Sequence, residues 1–173
     1  MIRAAIIGCG KVADKHASQI LRIGGSQIVG VCDQEELMAA QLAERFTVKH
    51  YFSDVRVLLA TCRPDVVHIT TPPQSHYYLA KQCIEAGCHV YVEKPFTVSN
   101  EEAREILILA ERAGKKVTVG HETQFMPVAR DMRKLIRAGL SLAIVRKICM
   151  SHILPNMCSA MTASSRSIFL ERS

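Results

Sequence analysis

The chain begins with a short apolar run that leads directly into a glycine-rich turn. Residues 4–7 read Ala-Ala-Ile-Ile, and residues 8–13 read Gly-Cys-Gly-Lys-Val-Ala. The first glycine permits a tight strand-to-helix turn, and the second lets a ligand come close to the backbone. The small residue at the sixth position lets the helix pack on the strand. The segment therefore predicts the first strand and first helix of a parallel α/β fold.

An acidic residue, Asp33, follows the next apolar run, about 20 residues beyond Ala13. In a dinucleotide site the diphosphate lies at the helix N-terminus, where free N–H groups and the helix dipole favour negative charge. Asp33 would accept hydrogen bonds from the adenosine ribose hydroxyls. We therefore predict a dinucleotide site, the alternative being a purely structural turn. Because Asp33 repels a 2′-phosphate and Gln34 offers no cation, the cofactor is predicted to be NAD rather than NADP.

Strand and helix signals alternate regularly through the first 120 residues. The strand segments are short, rich in Val and Ile and without polar alternation, which indicates burial on both faces. Predicted strands cover residues 2–7, 28–32, 66–70, 89–92 and 116–119, and predicted helices cover residues 12–23, 34–46, 54–61, 75–86 and 99–113. We therefore predict an α/β fold, a doubly wound parallel sheet with right-handed crossovers.

Candidate capping residues precede two of these helices. Ser53 is the predicted N-cap of the helix over 54–61, and Ser99 with Glu102 has the spacing of a capping box. Each pairing would satisfy N–H groups that the first turn of a helix leaves without a partner.

The strand–helix rhythm changes near residue 121. We predict a dinucleotide-binding domain over residues 1–121 and a linker helix from Pro127, followed by a first strand, over residues 122–153. That strand, over 142–150, would begin a second α/β domain. Residues 154–173 are rich in Ser and show no hydrophobic period, and they are expected to form an irregular tail.

Composition excludes several classes of protein. The net charge is +6, but its basic excess lies in the last third without interleaved aromatic residues, which indicates a solvated helix face and no nucleic-acid site. No apolar stretch approaches the roughly 20 residues of a membrane span, and the N-terminus lacks signal-peptide features. Seven cysteines without a C-x-x-C pair indicate free thiols rather than a metal site or disulfides. We therefore expect a cytoplasmic protein.

The residues that follow the predicted strands form the candidate site. In an open α/β sheet the ligand lies beyond the carboxyl ends of the strands, so residues distant in sequence meet there. Thr71-Pro72 could press against a cofactor or simply be a loop, and His76 could face the cleft or pack. The candidate cofactor-binding residues are Gly8, Gly10, Lys11, Val12, Asp33, Thr71, Pro72, His76 and Glu93.

Glu93, Lys94 and Pro95 end a predicted core strand. Two charges at that position are costly if buried without partners, so an anionic or hydroxyl-rich ligand would explain Lys94. Lys94 could orient a substrate hydroxyl while hydride leaves the carbon, and it is the predicted catalytic residue. The alternative is a solvated Glu–Lys pair at a strand end.

Taken together, these motifs resemble the N-terminal half of the Gfo/Idh/MocA family of NAD(P)-dependent oxidoreductases. The resemblance covers roughly residues 1–150 and includes the glycine turn, Asp33, Thr71-Pro72 with His76, Glu93-Lys94-Pro95, Gly120-His121, Phe125 and Pro127. It implies a Rossmann domain and a sugar, inositol or related polyol substrate. It also implies that Lys94 binds substrate beside the nicotinamide, that Glu93 lies near the nicotinamide ribose, and that homo-oligomers are common.

Members of that family continue into a second domain that supplies the general acid/base. We therefore expect this chain to be the NAD(P)-binding portion of such an oxidoreductase, truncated early in its substrate domain and inactive alone. Two alternatives remain: a non-catalytic dinucleotide-binding or interaction module, and a tail over residues 154–173 that is not native family sequence, such as the product of a frameshift.

Overall fold

The computed structural model describes residues 1–139, which form a six-stranded parallel sheet with helices and a short segment beyond it. A first compact unit spans Met1–His121, and a second begins at Glu122. The elements of the first unit are β1 (Ile2–Ile7), α1 (Lys11–Arg22), β2 (Ser26–Cys32), α2 (Glu36–Arg45), β3 (Tyr51–Phe52), α3 (Val55–Cys62), β4 (Val66–Ile69), α4 (His76–Glu85), β5 (His89–Val92), α5 (Asn100–Arg112) and β6 (Val117–Val119).

The strands lie in the order β3-β2-β1-β4-β5-β6, and every neighbouring pair is parallel. The chain runs outwards from β1 to β3, crosses back to β4 beside β1, and runs outwards again to β6. The direction reverses between β1 and β4, and a crevice opens at such a point in a doubly wound sheet. The predicted fold class is confirmed.

Two hydrophobic layers cover β1, one on each face. Ala4 and Ile6 pack with residues of α1 and α2, whereas Ala5 and Ile7 pack with residues of α3, α4 and α5. Successive side chains of a strand point to opposite faces, so a strand covered on both sides carries apolar residues without alternation. The predicted burial on both faces is therefore correct for β1.

In β4 and β5 the two faces are buried to different degrees. Val67 and Ile69 are buried, but the intervening His68 is only partly buried, and Tyr91 is likewise partly buried between two buried valines. Their buried apolar residues pack with residues of α4 and α5, whereas Val66, at the start of β4, packs with the cluster on the other face. The opposite face of these two strands therefore carries polar aromatic side chains, which bear on the site described below.

Two local features differ from the sequence-based expectation. The N-cap of α3 is Asp54 and not Ser53, since the Asp54 carboxylate accepts a hydrogen bond of 2.8 Å from the Arg56 N–H. Strand β3 was not predicted, because two residues are too few to show a period. By contrast, Ser99 caps α5 as predicted, and its hydroxyl accepts a hydrogen bond of 3.2 Å from Glu102 N–H.

The second unit is described to residue 139. A single helical turn over Glu122–Phe125 precedes α6, which covers Pro127–Arg137. Proline suits the first position of a helix, where its missing N–H has no partner to lose. The strand predicted over 142–150 and the tail predicted over 154–173 lie outside the described residues. No helix between residues 1 and 139 is both long enough and apolar enough to cross a membrane.

Replacing the cap of α5 tests its contribution to folding. Ser99→Ala removes the hydroxyl that accepts from Glu102 N–H, and we expect the free energy of unfolding to fall by about 1 kcal/mol in urea denaturation. Ser53→Ala is the control, because Ser53 is exposed and does not cap α3. Equal losses for the two variants would contradict the assignment.

Candidate functional site

The turn after β1 depends on Gly8. Its φ is +91°, a conformation that residues with a side chain rarely adopt. A Cβ built there would lie 2.7 Å from Thr71 Cγ2 and 2.8 Å from Thr71 N. Gly8 N–H donates to Cys32 O at 2.8 Å, and Gly8 O accepts from the Thr70 hydroxyl at 2.6 Å. Gly8 thus joins the carboxyl ends of β1, β2 and β4.

Asp33 lies directly after β2 and contacts this turn. Its Oδ2 accepts a hydrogen bond of 2.6 Å from Cys9 N–H, and its Oδ1 accepts one of 3.0 Å from Glu35 N–H. Each carboxylate oxygen has two lone pairs, so both can accept a further hydrogen bond. The carboxylate is therefore held in place beside the glycine turn and can still bind hydroxyl groups.

Helix α1 begins at this turn with Gly10 as its N-cap and with no side chain capping it. Gly10 differs from Gly8, because a Cβ built on Gly10 would have no heavy atom of the described residues within 4 Å. The space beside Gly10 is open, and N–H groups of the first turn, including those of Lys11 and Val12, point beyond the start of a helix. Such an uncapped end is an anion-binding site in general.

A cleft of about 680 Å³ lies at the switch point and is bounded by residues of β1, β2 and β4. This volume is within the range of small-molecule sites. Five predicted site residues line it together: Gly8, Gly10, Asp33, Thr71 and Pro72. Ser75 braces the Thr71-Pro72 loop, since its Oγ lies 2.7 Å from Thr71 Oγ1 and 2.8 Å from Pro72 O. Asp33 and Glu35 are the residues of the lining that carry a charge at neutral pH.

His76 is fully buried and does not line this cleft. Its Nδ1 lies 2.8 Å from Pro95 O, and its Nε2 lies 2.8 Å from Thr71 O. The ring therefore links the loop after β4 to the loop after β5. The structure thus places His76 as a support of two site loops, outside the lining of the cleft.

Glu93 and Lys94 follow β5, which is separated from β2 and Asp33 by strands β1 and β4. The Glu93 side chain is 19% exposed, and its Oε2 accepts a hydrogen bond of 3.2 Å from Lys94 N–H. Lys94 itself is exposed, and the Lys94–Pro95 peptide is cis. Gly120 adjoins the carboxylate, because a Cβ built there would lie 2.9 Å from Glu93 Oε1. An exposed lysine thus directly follows, in the chain, a glutamate whose carboxylate is restricted in position.

The structure adds two histidines that the sequence analysis did not single out. His16, in α1, places its Nε2 2.9 Å from Glu93 Oε1 and its Nδ1 2.9 Å from His68 Nδ1. The His68 ring stacks on Tyr91 with ring centroids 5.0 Å apart, and His16 meets both rings edge-on. The one available signal was the position of His16, three residues after the small residue of the glycine motif and on its helix face.

Burial shifts the titration of several groups near the site. It lowers the pKa of His68 to about 4, with a further contribution from His16. Burial also raises the pKa of the Cys9 thiol to about 12 and that of Cys32 to about 11, and in both Asp33 adds to the effect. The cysteines at 9, 32, 62, 83 and 88 are all free and buried. Thiols such as these remain protonated and unreactive at neutral pH.

A second hollow, of about 700 Å³, lies at the amino ends of β4 and β5. Asp65 and His89 are among its lining residues, and it contains none of the predicted site residues. Because ligands of open α/β sheets bind at the carboxyl ends, we assign the site to the cleft beside Asp33.

Comparison with known proteins agrees with this geometry. A family model, GFO_IDH_MocA, described as an oxidoreductase family with an NAD-binding Rossmann fold, matches residues 2–121. The chain belongs to this family. The predicted resemblance is thereby confirmed, and the match covers the unit that contains the sheet and the cleft.

Similar members of the family include enzymes that act on sugars. D-glucoside 3-dehydrogenase of Escherichia coli is 35% identical over 140 residues, which are 80% of this chain and 40% of that enzyme. UDP-N-acetylglucosamine 3-dehydrogenase of Acidithiobacillus ferrooxidans is 32% identical over 133 residues, covering 77% of this chain and 41% of the enzyme. The chain therefore spans about two fifths of the length of these relatives.

A solved structure shows the same fold. The WlbA dehydrogenase from Chromobacterium violaceum, crystallised with NADH and UDP-GlcNAcA, superimposes with a TM-score of 0.75 at 26% identity. The match covers 79% of this chain and 40% of that chain. The Rossmann fold of this family thus accounts for residues 2–121.

Replacing glycines by alanine tests the close approach of the Gly8 turn to Thr71. Gly8→Ala introduces both an unfavourable positive φ and a clash with Thr71, and we expect it to lower the free energy of unfolding by about 2 kcal/mol or more. Gly24→Ala is the control, since Gly24 has open space around it. Chemical denaturation measures both, and similar stabilities for the two variants would contradict the close approach at Gly8.

The low pKa of His68 predicts a pH-dependent stability. Between its ordinary value of 6.5 and about 4, His68 takes up a proton in the unfolded chain but not in the folded one. The free energy of unfolding therefore falls as pH drops through this window, by roughly 3 kcal/mol at most, and this contribution levels off below it. In urea denaturation, His68→Phe should lose less stability than the wild type between neutral pH and pH about 4. Equal losses would contradict a buried neutral His68.

Proposed function

We propose that this chain binds NAD(H) in the cleft at the switch point, as the cofactor-binding part of an oxidoreductase. The observation that carries the proposal is the Asp33 carboxylate, held by Cys9 N–H at 2.6 Å beside an uncapped helix end. The carboxylate is suited to the ribose hydroxyls of a dinucleotide, and the uncapped helix end is suited to its diphosphate. The open space at Gly10 is where a side chain would exclude the diphosphate.

NAD rather than NADP is favoured by the charges around Asp33. The residues of the cleft lining that carry a charge at neutral pH, Asp33 and Glu35, are both acidic. A 2′-phosphate would bring about two further negative charges next to a carboxylate that is already fixed in position. The ribose hydroxyls of NAD can instead donate to the lone pairs that Cys9 and Glu35 leave available.

The proposed substrate is a sugar or a related polyol, and the proposed catalytic residue is Lys94. Two relatives of at least 32% identity are named as sugar 3-dehydrogenases. Lys94 is exposed at the carboxyl end of β5, where its ammonium can donate a hydrogen bond to a substrate hydroxyl. When bound, the nicotinamide ring accepts or supplies the hydride. In this proposal Lys94 orients the hydroxyl whose carbon is oxidised. Glu93 would lie near the nicotinamide ribose.

The sheet unit is proposed to be the cofactor domain, over residues 1–121. We further propose that residues 122–153 lead into a substrate domain and that residues 154–173 form an irregular tail. Because the chain spans about two fifths of its relatives' length, we expect these 173 residues to bind cofactor with little or no turnover. In the intact enzyme a general base outside the described residues would take the hydroxyl proton.

Titration with NADH, followed by its fluorescence, tests the cofactor proposal. We expect the wild type to bind NADH more tightly than NADPH. Asp33→Ala should weaken NADH binding at least about tenfold, the cost of one or two hydrogen bonds to a charged group. Gly10→Val should also weaken it, because its side chain would occupy the diphosphate position.

Glu111→Ala is the matched control, since Glu111 is an exposed acid in α5 and lies outside the cleft lining. Its affinity for NADH should equal that of the wild type. The absence of binding at millimolar NADH, or undiminished binding by Asp33→Ala with Gly10→Val, would overturn the proposal. Incubation with NAD and glucosides or sugar nucleotides tests turnover, and a steady rise in NADH absorbance would refute the expectation that the chain alone is inactive.

A further inference from the structure

His16 links the cofactor helix to the end of β5. Its side chain is 9% exposed, and it belongs to the same helix whose N-terminus begins at Gly10. Its Nε2 lies 2.9 Å from Glu93 Oε1, although 77 positions separate the two residues. A side chain on the diphosphate half of the site therefore contacts one proposed for the nicotinamide half.

The hydrogen atoms of this cluster can be assigned from its contacts. An ionised Glu93 carboxylate only accepts, so His16 Nε2 carries a hydrogen and donates it. His16 Nδ1 and His68 Nδ1 are 2.9 Å apart, which requires a hydrogen on one of them. Since burial and His16 lower the pKa of His68 to about 4, His68 is neutral at pH 7 and can donate its Nδ1–H to His16 Nδ1. In this arrangement the His16 Nε2–H faces Glu93.

The surroundings leave Glu93 little freedom. Lys94 N–H donates to its Oε2 at 3.2 Å, and Gly120 approaches so closely that an added Cβ would lie 2.9 Å from Oε1. His16 is itself fixed by His68 and by a T-shaped contact with the Tyr91 ring, whose centroid is 5.2 Å from that of His16. The cluster therefore determines where the carboxylate lies before any ligand binds.

We propose that His16 is a positioning residue that holds Glu93 ready for the nicotinamide riboside half of the cofactor. The inference rests on the proposed binding of NAD(H) in the cleft, and it adds a residue that neither touches the cofactor nor belongs to the glycine motif. The competing explanation is that His16 contributes only to folding. The two differ in what they predict for ligands that contain, or lack, the nicotinamide half.

Calorimetric titration of the full 173-residue chain with NADH and with ADP separates them. ADP carries the adenosine and diphosphate groups but no nicotinamide riboside. His16→Phe keeps an aromatic ring against Tyr91 and removes both nitrogens. We expect it to weaken NADH binding roughly tenfold, as for one lost hydrogen bond to a charged group, while ADP affinity stays within about twofold.

Two further variants divide the contacts of His16. Gln can place an amide N–H near the position of Nε2, so His16→Gln should retain most of the NADH affinity. Asn is shorter and can reach towards His68 but not Glu93, so His16→Asn should resemble His16→Phe. This pair still decides the question if His16→Phe fails to fold, and ADP binding reports the fold of each variant.

A double-variant cycle shows whether His16 acts through Glu93. Glu93→Ala alone should weaken NADH binding, and adding His16→Phe to it should have little further effect. Additive losses, equal weakening of ADP and NADH by His16→Phe, or unchanged NADH affinity would each overturn the inference. If the wild type binds neither ligand, the proposed function itself fails, which is a distinct result.

Discussion

The close packing at Gly8 is the constraint from which the site follows. Its backbone lies between the ends of β2 and β4 and is hydrogen-bonded to Cys32 on one side and to Thr70 on the other. Thr71 lies too near to leave room for a side chain on Gly8. This contact brings the glycine turn, Asp33 and the Thr71-Pro72 loop to one edge of the sheet. The three segments are distant in sequence, and none of them would form a cleft alone.

Much of the fold could be predicted because its elements have strong local signals. The glycine turn, the apolar strand segments and the Ser99 cap each depend on neighbouring residues, and the structure confirms them. The strand Tyr51–Phe52 could not be predicted, since it exists through pairing with Val31 and Cys32 rather than through a pattern of its own. The choice of Asp54 over Ser53 as a cap likewise depends on backbone geometry that two adjacent polar residues do not reveal.

For the site, the residues that follow strands could be predicted to converge, and five of them line the cleft. Site residues that meet because one of them lies on the buried face of a helix could not be predicted in this way. His16 is one polar residue in an amphipathic helix, and His68 interrupts an apolar strand, so each alone suggests only a solvated or packed ring. His76 illustrates the converse: its place after a loop suggested ligand contact, whereas the folded chain buries it between two carbonyl oxygens.

Asp33 combines two tasks in one carboxylate, and this affects how coenzyme preference could change. Its oxygens already anchor the backbone at Cys9 and at Glu35. A substitution that removes the carboxylate oxygens together with the charge, such as Asp33→Ala, also releases both amides and loosens the first crossover. A lineage switching towards a phosphorylated coenzyme would need a replacement anchor, such as an Asn or Ser that still accepts from the amide, before a new cation could be of use.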